Sequence, residues 1–209
     1  MKLYVIRHGE STANRLGKIQ GGQDYPLSPL GKKQADLLGQ YFQDIQLDYI
    51  YSSDLTRANE TASAIGSYQH TSVQKWETIR EVGLGPFEGK SREEIELAYP
   101  EVRERSMLTS GVEGTETIEQ LTNRCQYLYD QLQRAHKNDD VALVSHGGFI
   151  SIFLMYVMLG EEWHQYHRPF MIENTGITLI EWKEGRKPLI HYINRNPHLQ
   201  ATEGISKSS

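Results

Sequence analysis

Short apolar runs alternate along the chain with stretches whose apolar residues recur at helical spacing. Lys2 to Ile6 reads as a short buried strand, Tyr49-Ile50-Tyr51 as a second and Val141 to Val144 as a third, each bounded by polar or glycine-containing residues. The runs Ile177 to Trp182 and Leu189 to Ile193, separated by Lys183 to Pro188 with Gly185 inside, predict two late strands joined by a turn. Between the early runs, Ser28 reads as an N-cap with Pro29 at the first helical position, and Ala35, Leu38 and Phe42 follow at helical spacing. Ser91 with Glu94 forms a capping box for a helix that must stop near Tyr99-Pro100, and Thr117 with Gln120 forms another. Behind the second box, Ile118, Leu121, Cys125, Leu128 and Leu132 step by 3, 4, 3 and 4 residues, which places all five on one face against a core. Phe149 to Leu159 is a further helix-like stretch. This alternation predicts an α/β fold, a three-layer α/β/α sandwich around a largely parallel sheet. No repeat or low-complexity segment divides it, so one domain is expected over residues 1–199, with a disordered tail over residues 200–209.

Chemistry collects where the strands end. The first run delivers Arg7-His8-Gly9-Glu10, with Ser11 and Asn14 close behind, and the third delivers Ser145-His146-Gly147-Gly148. The second is followed by the polar run Ser52 to Thr61, which contains Arg57. Segments that leave strands on the same edge of an open α/β sheet converge in one crevice, so two histidines and two arginines would meet there. A lone His-Gly after a strand is usually only a turn, and a lone arginine at a helix start is usually solvated. The combination points to an anion, with a phosphoryl group as the best fit.

These residues, with Glu81 in Arg80-Glu81-Val82-Gly83-Leu84-Gly85 and with Phe87-Glu88-Gly89 beyond, resemble the histidine phosphatase superfamily. More narrowly, the chain is similar to its phosphoglycerate-mutase-like branch, in the pattern of the small broad-specificity phosphatases. The motifs run in order from about Lys2 to Ile193. Glu10-Ser11-Thr12 stands where the acid phosphatase and phytase branch typically carries another arginine and a proline. The resemblance implies a phosphoglycerate-mutase-like fold and a phosphohistidine intermediate on His8.

The chemistry such a site needs can be assigned residue by residue. His8 attacks phosphorus only if unprotonated and aimed, so its other ring nitrogen needs an acceptor such as a backbone carbonyl. Arg7 and Arg57 would meet the equatorial oxygens through forked, charge-assisted hydrogen bonds, and His146, if protonated, would add a third donor beside the Gly147 amide. The resemblance places Asn14 and Gln20 on the same phosphate as neutral donors. A leaving alkoxide needs a proton and the later water must lose one, a double task for one carboxyl. Glu77, Glu81 and Glu88 compete for it, and the resemblance selects Glu81. True mutases usually carry a long insertion beyond this point, whereas only residues 90–116 are available here. An open site favours hydrolysis, with phosphoglycerate mutase as the alternative activity and a non-catalytic phosphate-binding module as a further one. Gly114-Thr115-Glu116-Thr117 departs from a Gly-Gly-Glu-Ser cluster common in the family and is expected to act only as a helix cap.

Composition removes other classes. At 209 residues and 38% hydrophobic content the chain can bury a sizeable core. A net charge of −5 without a Lys/Arg run argues against a nucleic-acid surface, and the chain contains no apolar run of membrane length. The single Cys125 excludes an intramolecular disulfide and reads as a small buried apolar residue, in keeping with a cytoplasmic protein. His164 and His167 share a helical spacing but lack carboxylate or cysteine companions, and no glycine-rich nucleotide loop appears, so no metal or cofactor is expected. The expected partner is a small phosphorylated metabolite, without nucleic acid or membrane, and a homodimer is compatible with this reading. The leaving group would be read by residues 90–116 and the region around Tyr156 to Arg168.

Overall fold

A computed structural model describes residues 1–103 and 106–200, so the expected tail lies, apart from Gln200, outside the described residues. In chain order the elements are β1 (Lys2–Arg7), α1 (Thr12–Arg15), α2 (Pro29–Phe42), β2 (Tyr49–Ser52), α3 (Thr56–Gln69), β3 (Val73–Lys75), α4 (Arg92–Ala98), α5 (Ile118–Ala135), β4 (Asp140–Ser145), α6 (Gly147–Leu159), β5 (Ile177–Glu181), β6 (Leu189–Arg195) and α7 (Pro197–Gln200). The described strands form one six-stranded sheet in the order β3-β2-β4-β1-β5-β6. Neighbours among β3, β2, β4 and β1 run parallel, and the late strands add an antiparallel edge. The α/β class and the largely parallel sheet agree with the sequence pattern; the short β3 lacks an apolar run and was not anticipated.

The pleat sends alternate side chains to opposite faces. Tyr4, Ile6, Ile50, Ala142 and Val144 point to one face and pack with Leu38 and Phe42 of α2 and Ala58, Ala62 and Ile65 of α3. Leu3, Val5, Val141 and Leu143 point to the other, against Leu121, Cys125, Leu128 and Leu132 of α5 and the apolar α6. Burial of each such Leu, Ile or Phe contributes roughly 1.5–3 kcal/mol. Ile118 departs from its predicted place: it is exposed at the first position of α5, where the helix overhangs the core, and the buried stripe begins at Leu121. The N-caps Ser28, Ser91 and Thr117 each accept from the backbone N–H three residues on, as their spacing predicts. No helix among the described residues is long and apolar enough to cross a membrane.

Register levels the site. Arg7 pairs with Ser145 across β1 and β4, and Ser52 pairs with Val144 across β2 and β4. His8 and His146 therefore leave adjacent strands side by side. From β1 the chain passes to α2 on one face, whereas from β4 it passes to α6 on the other. Divergence of two neighbouring strand ends opens a crevice between them, and this is where an open α/β sheet binds ligands.

Candidate active site

At the end of β1, the buried His8 places Nδ1 2.6 Å from its neighbour's carbonyl, Gly9 O. A carbonyl can only accept, so Nδ1 carries the hydrogen and Nε2 keeps its lone pair. Burial, followed by the Arg7 and Arg57 guanidinium groups, pushes the imidazole well below its ordinary pKa, against the opposing pull of the Gly9 carbonyl. The ring is neutral at pH 7. Gly9 is required for close approach: a Cβ there would come within 2.7 Å of Gly31 O on α2. Its own N–H donates to Thr61 Oγ1 at 3.0 Å, which ties the loop to α3.

Arg57, in the first turn of α3, is 1% exposed. It donates through Nη1 to Gln23 O at 2.7 Å, through Nη2 to Gly21 O at 3.0 Å and through Nε to His146 Nδ1 at 3.2 Å. The last bond fixes a tautomer. Because the guanidinium can only donate, neutral His146 carries its hydrogen on Nε2, a buried atom with no hydrogen-bond partner among the described residues. Burial, then Arg57, His8 and Arg7, push the His146 pKa well below its usual value. In its neutral form the ring thus presents an N–H donor at Nε2. The rings of His8 and His146 are 5.1 Å apart at 60°. Arg7 donates through Nη1 to Ile172 O at 2.6 Å, and its buried Nε has no partner among the described residues. Gly147 sits against this side chain, where a Cβ would lie 3.3 Å from Arg7 Nε.

Glu81 closes the opposite wall. Its Oε1 accepts from Val82 N at 3.0 Å and Phe149 N at 2.8 Å, and its Oε2 accepts from Gly148 N at 3.1 Å. The carboxylate therefore holds the positive end of α6, whose first N–H groups have no intrahelical partners. Glu116 and Arg124 clamp the segment that carries it. Glu116 N donates to Gly83 O at 2.8 Å, and Gly83 N returns a 3.0 Å bond to Glu116 Oε2. Arg124 pairs with Glu116 at 2.6 Å, donates to Arg80 O at 2.6 Å and to Thr78 O, and stacks on Phe149. Glu116 is thus more than the cap neighbour expected from the sequence: it braces the loop bearing Glu81. The rival carboxylates lie elsewhere. Glu77 is an exposed partner of Arg80, and Glu88 accepts from Gly22 N and Leu84 N as a loop brace.

Arg7, His8, Asn14, Gln20, Arg57 and Glu81 line one cleft of about 610 Å³. Asn14 is the N3 residue of a capping box on α1, and its Oδ1 accepts from Ser11 N at 3.1 Å. Gln20 Oε1 accepts from Ser11 Oγ at 2.8 Å. Both amides are thus anchored by oxygen, leaving their NH2 groups as donors. Two positioning residues escaped sequence reading. Asn174 Nδ2 donates to His8 O at 2.9 Å, and Thr175, at a φ of 56°, donates its N–H to Arg7 O at 3.0 Å. Thr175 in the left-handed region is the only local signal, and it is visible only in the backbone. The cleft also draws in Lys18, and Arg92, Arg103, His167 and Arg168 from the two segments, residues 90–116 and around Tyr156 to Arg168, that the sequence offers for reading the leaving group. His164 faces a separate surface hollow, and no group of three His, Cys, Asp or Glu residues suited to a metal occurs among the described residues.

Comparison with known proteins agrees with this geometry. The sequence matches the family model of the Histidine phosphatase superfamily (branch 1) over residues 3–195. It is 32% identical over 195 residues to a protein named uncharacterized phosphatase PhoE from Bacillus subtilis, covering 93% of this chain and 95% of that one. It is 33% identical over 205 residues to phosphoserine phosphatase 1 of Hydrogenobacter thermophilus, covering 95% of this chain and 94% of the other. Among solved structures, a phosphoserine phosphatase from Entamoeba histolytica in complex with 3-phosphoglyceric acid superposes with a TM-score of 0.77 at 31% identity, covering 95% of this chain and 98% of that one.

Proposed function

This chain belongs to the histidine phosphatase superfamily, and we propose that it hydrolyses small phosphate monoesters through a phosphohistidine on His8, without a metal. The phosphatase assignment rests on the family and on its named relatives. The mechanism rests on one observation above the others, the bond from His8 Nδ1–H to Gly9 O, which leaves a lone pair on Nε2 of a neutral ring.

In the first step His8 Nε2 forms a bond to phosphorus while the ester P–O bond breaks. Charge on the equatorial oxygens meets Arg7, Arg57, the His146 Nε2–H and the amide donors of Asn14 and Gln20. The departing alkoxide takes a proton from Glu81. Within that carboxyl, Oε1 already accepts two backbone hydrogens and Oε2 only one, so Oε2 is the atom with a lone pair left for the proton. In the second step water attacks phosphorus, Glu81 takes its proton, and the P–N bond breaks to release inorganic phosphate and free His8. The reaction is taken to be cytoplasmic, on the single buried cysteine and the absence of any disulfide pair. The test is acid-sensitive trapping: a brief reaction with 32P-labelled substrate should leave label on the wild-type protein that is stable to base and lost in acid. His8→Ala should lose both the label and the turnover. A His8→Ala protein that still turned over near the native rate, with His146→Ala inactive, would exchange the two roles.

A further inference from the structure

The segment around the end of β6 is hooked onto the turn that holds His8. Three of its side chains, at alternate positions, reach residues 173–175. Asn194 Oδ1 accepts from Glu173 N at 2.8 Å, Asn196 Nδ2 donates to Glu173 Oε2 at 2.9 Å, and His198 Nε2 lies 2.9 Å from Thr175 Oγ1. The same turn grips the backbone on both sides of the His8 Cα. Thr175 N donates to Arg7 O at 3.0 Å and Asn174 Nδ2 donates to His8 O at 2.9 Å.

His198, in the short α7, differs from the two asparagines because it is only 5% exposed. The direction of its bond follows from its partner. Thr175 Oγ1 donates its one hydrogen to Asn174 O at 2.7 Å, so toward His198 the hydroxyl oxygen accepts and Nε2 carries the hydrogen. Burial lowers the pKa of this ring to about 4, which leaves it neutral at pH 7 with a bare lone pair on Nδ1, a buried atom without a partner among the described residues. A side chain that only filled this space would be better apolar, because a buried nitrogen without a hydrogen bond costs free energy that leucine or phenylalanine avoids. What the imidazole supplies, and those cannot, is the Nε2–H. Its acceptor sits on a strained residue. Thr175 has a φ of 56°, in the left-handed region that a β-branched side chain rarely occupies, and such a conformation persists only where surrounding contacts over-determine it.

Resting on the phosphohistidine reading, we propose that His198 is a positioning residue for the nucleophile: its Nε2–H secures Thr175 in the left-handed turn, and the turn in turn fixes the backbone of His8 for attack. His198 does not line the cleft, so it acts on the aim of His8 through residues 174 and 175. Arg57 is anchored separately, by Gly21 O and Gln23 O, and its hold on phosphate does not depend on this turn.

The test is rapid-quench measurement of 32P transfer from labelled substrate to His8, below the melting range of each variant, beside the Kd of inorganic phosphate from calorimetry. His198→Ala should slow phosphoenzyme formation roughly 10- to 100-fold, the scale of a small misplacement of a reacting group, while the Kd of phosphate changes far less. His198→Gln keeps an N–H donor near the position of Nε2 and should recover most of the rate. Thr175→Val removes the hydroxyl, keeps the β-branched shape and the backbone N–H, and should match His198→Ala; it probes the same bond from its other end even where His198→Ala fails to fold. The double variant should be no slower than either single one, since each breaks the same bond. By NMR, the His8 ring resonances should shift in His198→Ala and return in His198→Gln. Native-rate phosphorylation in either His198→Ala or Thr175→Val, or no recovery with glutamine, would overturn the assignment. So would an equal loss of rate and phosphate affinity, which marks a general collapse of the pocket. A wild type that carried no phosphohistidine would strike the mechanism instead, and the His8 ring resonances would still decide the positioning role, which fails if they do not move.

Discussion

Replacing Glu81 by glutamine separates its observed grip on α6 from its proposed role as proton donor, because one belongs to the fold and the other to the reaction. The amide oxygen of the new side chain can still accept from Val82 N and Phe149 N, whose bonds to Glu81 are 3.0 and 2.8 Å. Its NH2 must then face Gly148 N–H, which bonds Glu81 Oε2 at 3.1 Å in the native protein. The change removes one charge-assisted hydrogen bond, about 1.5–3 kcal/mol, and a charge at the N-terminus of α6, about 0.3–1 kcal/mol, for a total of about 2–4 kcal/mol. A chain of this length should lose roughly 4 to 16 °C in Tm. The catalytic loss has another signature. An alkoxide needs a proton as it leaves and a nitrophenolate scarcely does, so an alkyl phosphate should lose roughly 100- to 10,000-fold in kcat/KM and nitrophenyl phosphate far less. The assay is the ratio of kcat/KM for the two substrates, measured below the melting range of the variant. An unchanged ratio beside a lowered Tm would refute the proton-donor role and leave Glu81 as a cap for α6.

Two further expectations concern pH and metal. Because burial and two arginines depress the His8 pKa, the neutral nucleophile persists as pH falls past the ordinary histidine value; after correction for substrate ionisation, the acidic limb of kcat/KM should therefore lie well below pH 6.5, and a His8 imidazole titrating near 6.5 by NMR would contradict this. Since Arg7 and Arg57 supply the positive charge and His146 a neutral N–H donor, phosphate release should survive dialysis against a strong chelator, whereas a loss restored by zinc, manganese or magnesium would overturn the metal-independent mechanism.

Much of the fold was legible because local patterns carry it. Strands β1 and β4 announce themselves as apolar runs with polar ends, and the boxes Ser91/Glu94 and Thr117/Gln120 mark the starts of α4 and α5 through contacts three residues apart. Side-by-side emergence of His8 and His146 follows from topology once both strands are seen as parallel neighbours. What stayed hidden depends on contacts between distant segments. Neither the grip of Glu81 on α6 nor the brace from Glu116 to Gly83 has a periodic signature, since their partners lie 67 and 33 residues away along the chain. Asn174 and Thr175 hold the His8 loop from the turn that leads into β5, the antiparallel neighbour of β1, and the bond from Asn174 to His8 O spans 166 residues of the chain.

The arginines of this protein divide by what neutralises them, and the division follows function. Arg80 forks onto Asp54, and Arg124 sits on Glu116 at 2.6 Å; both act as braces, with charge balanced inside the fold. Arg7 and Arg57 instead bond carbonyls of Ile172, Gly21 and Gln23 and a ring nitrogen of His146. A neutral acceptor can orient a guanidinium without neutralising it. Were either arginine paired with a carboxylate, the pair would be as well oriented, but much of its attraction for a phosphate dianion would already be satisfied. Glu81, the acid of the same cleft, is turned onto the N–H groups of Gly148 and Phe149 in α6 and of its neighbour Val82, and no ion pair links it to either arginine among the described residues. Uncompensated positive charge therefore remains beside His8, where it adds to burial in depressing the His8 pKa and would also attract the phosphoryl group of the proposed reaction. In the proposed mechanism one arrangement thus serves both nucleophile and electrophile, because the two cations that join burial in keeping the imidazole unprotonated are the ones a bound phosphoryl group would meet.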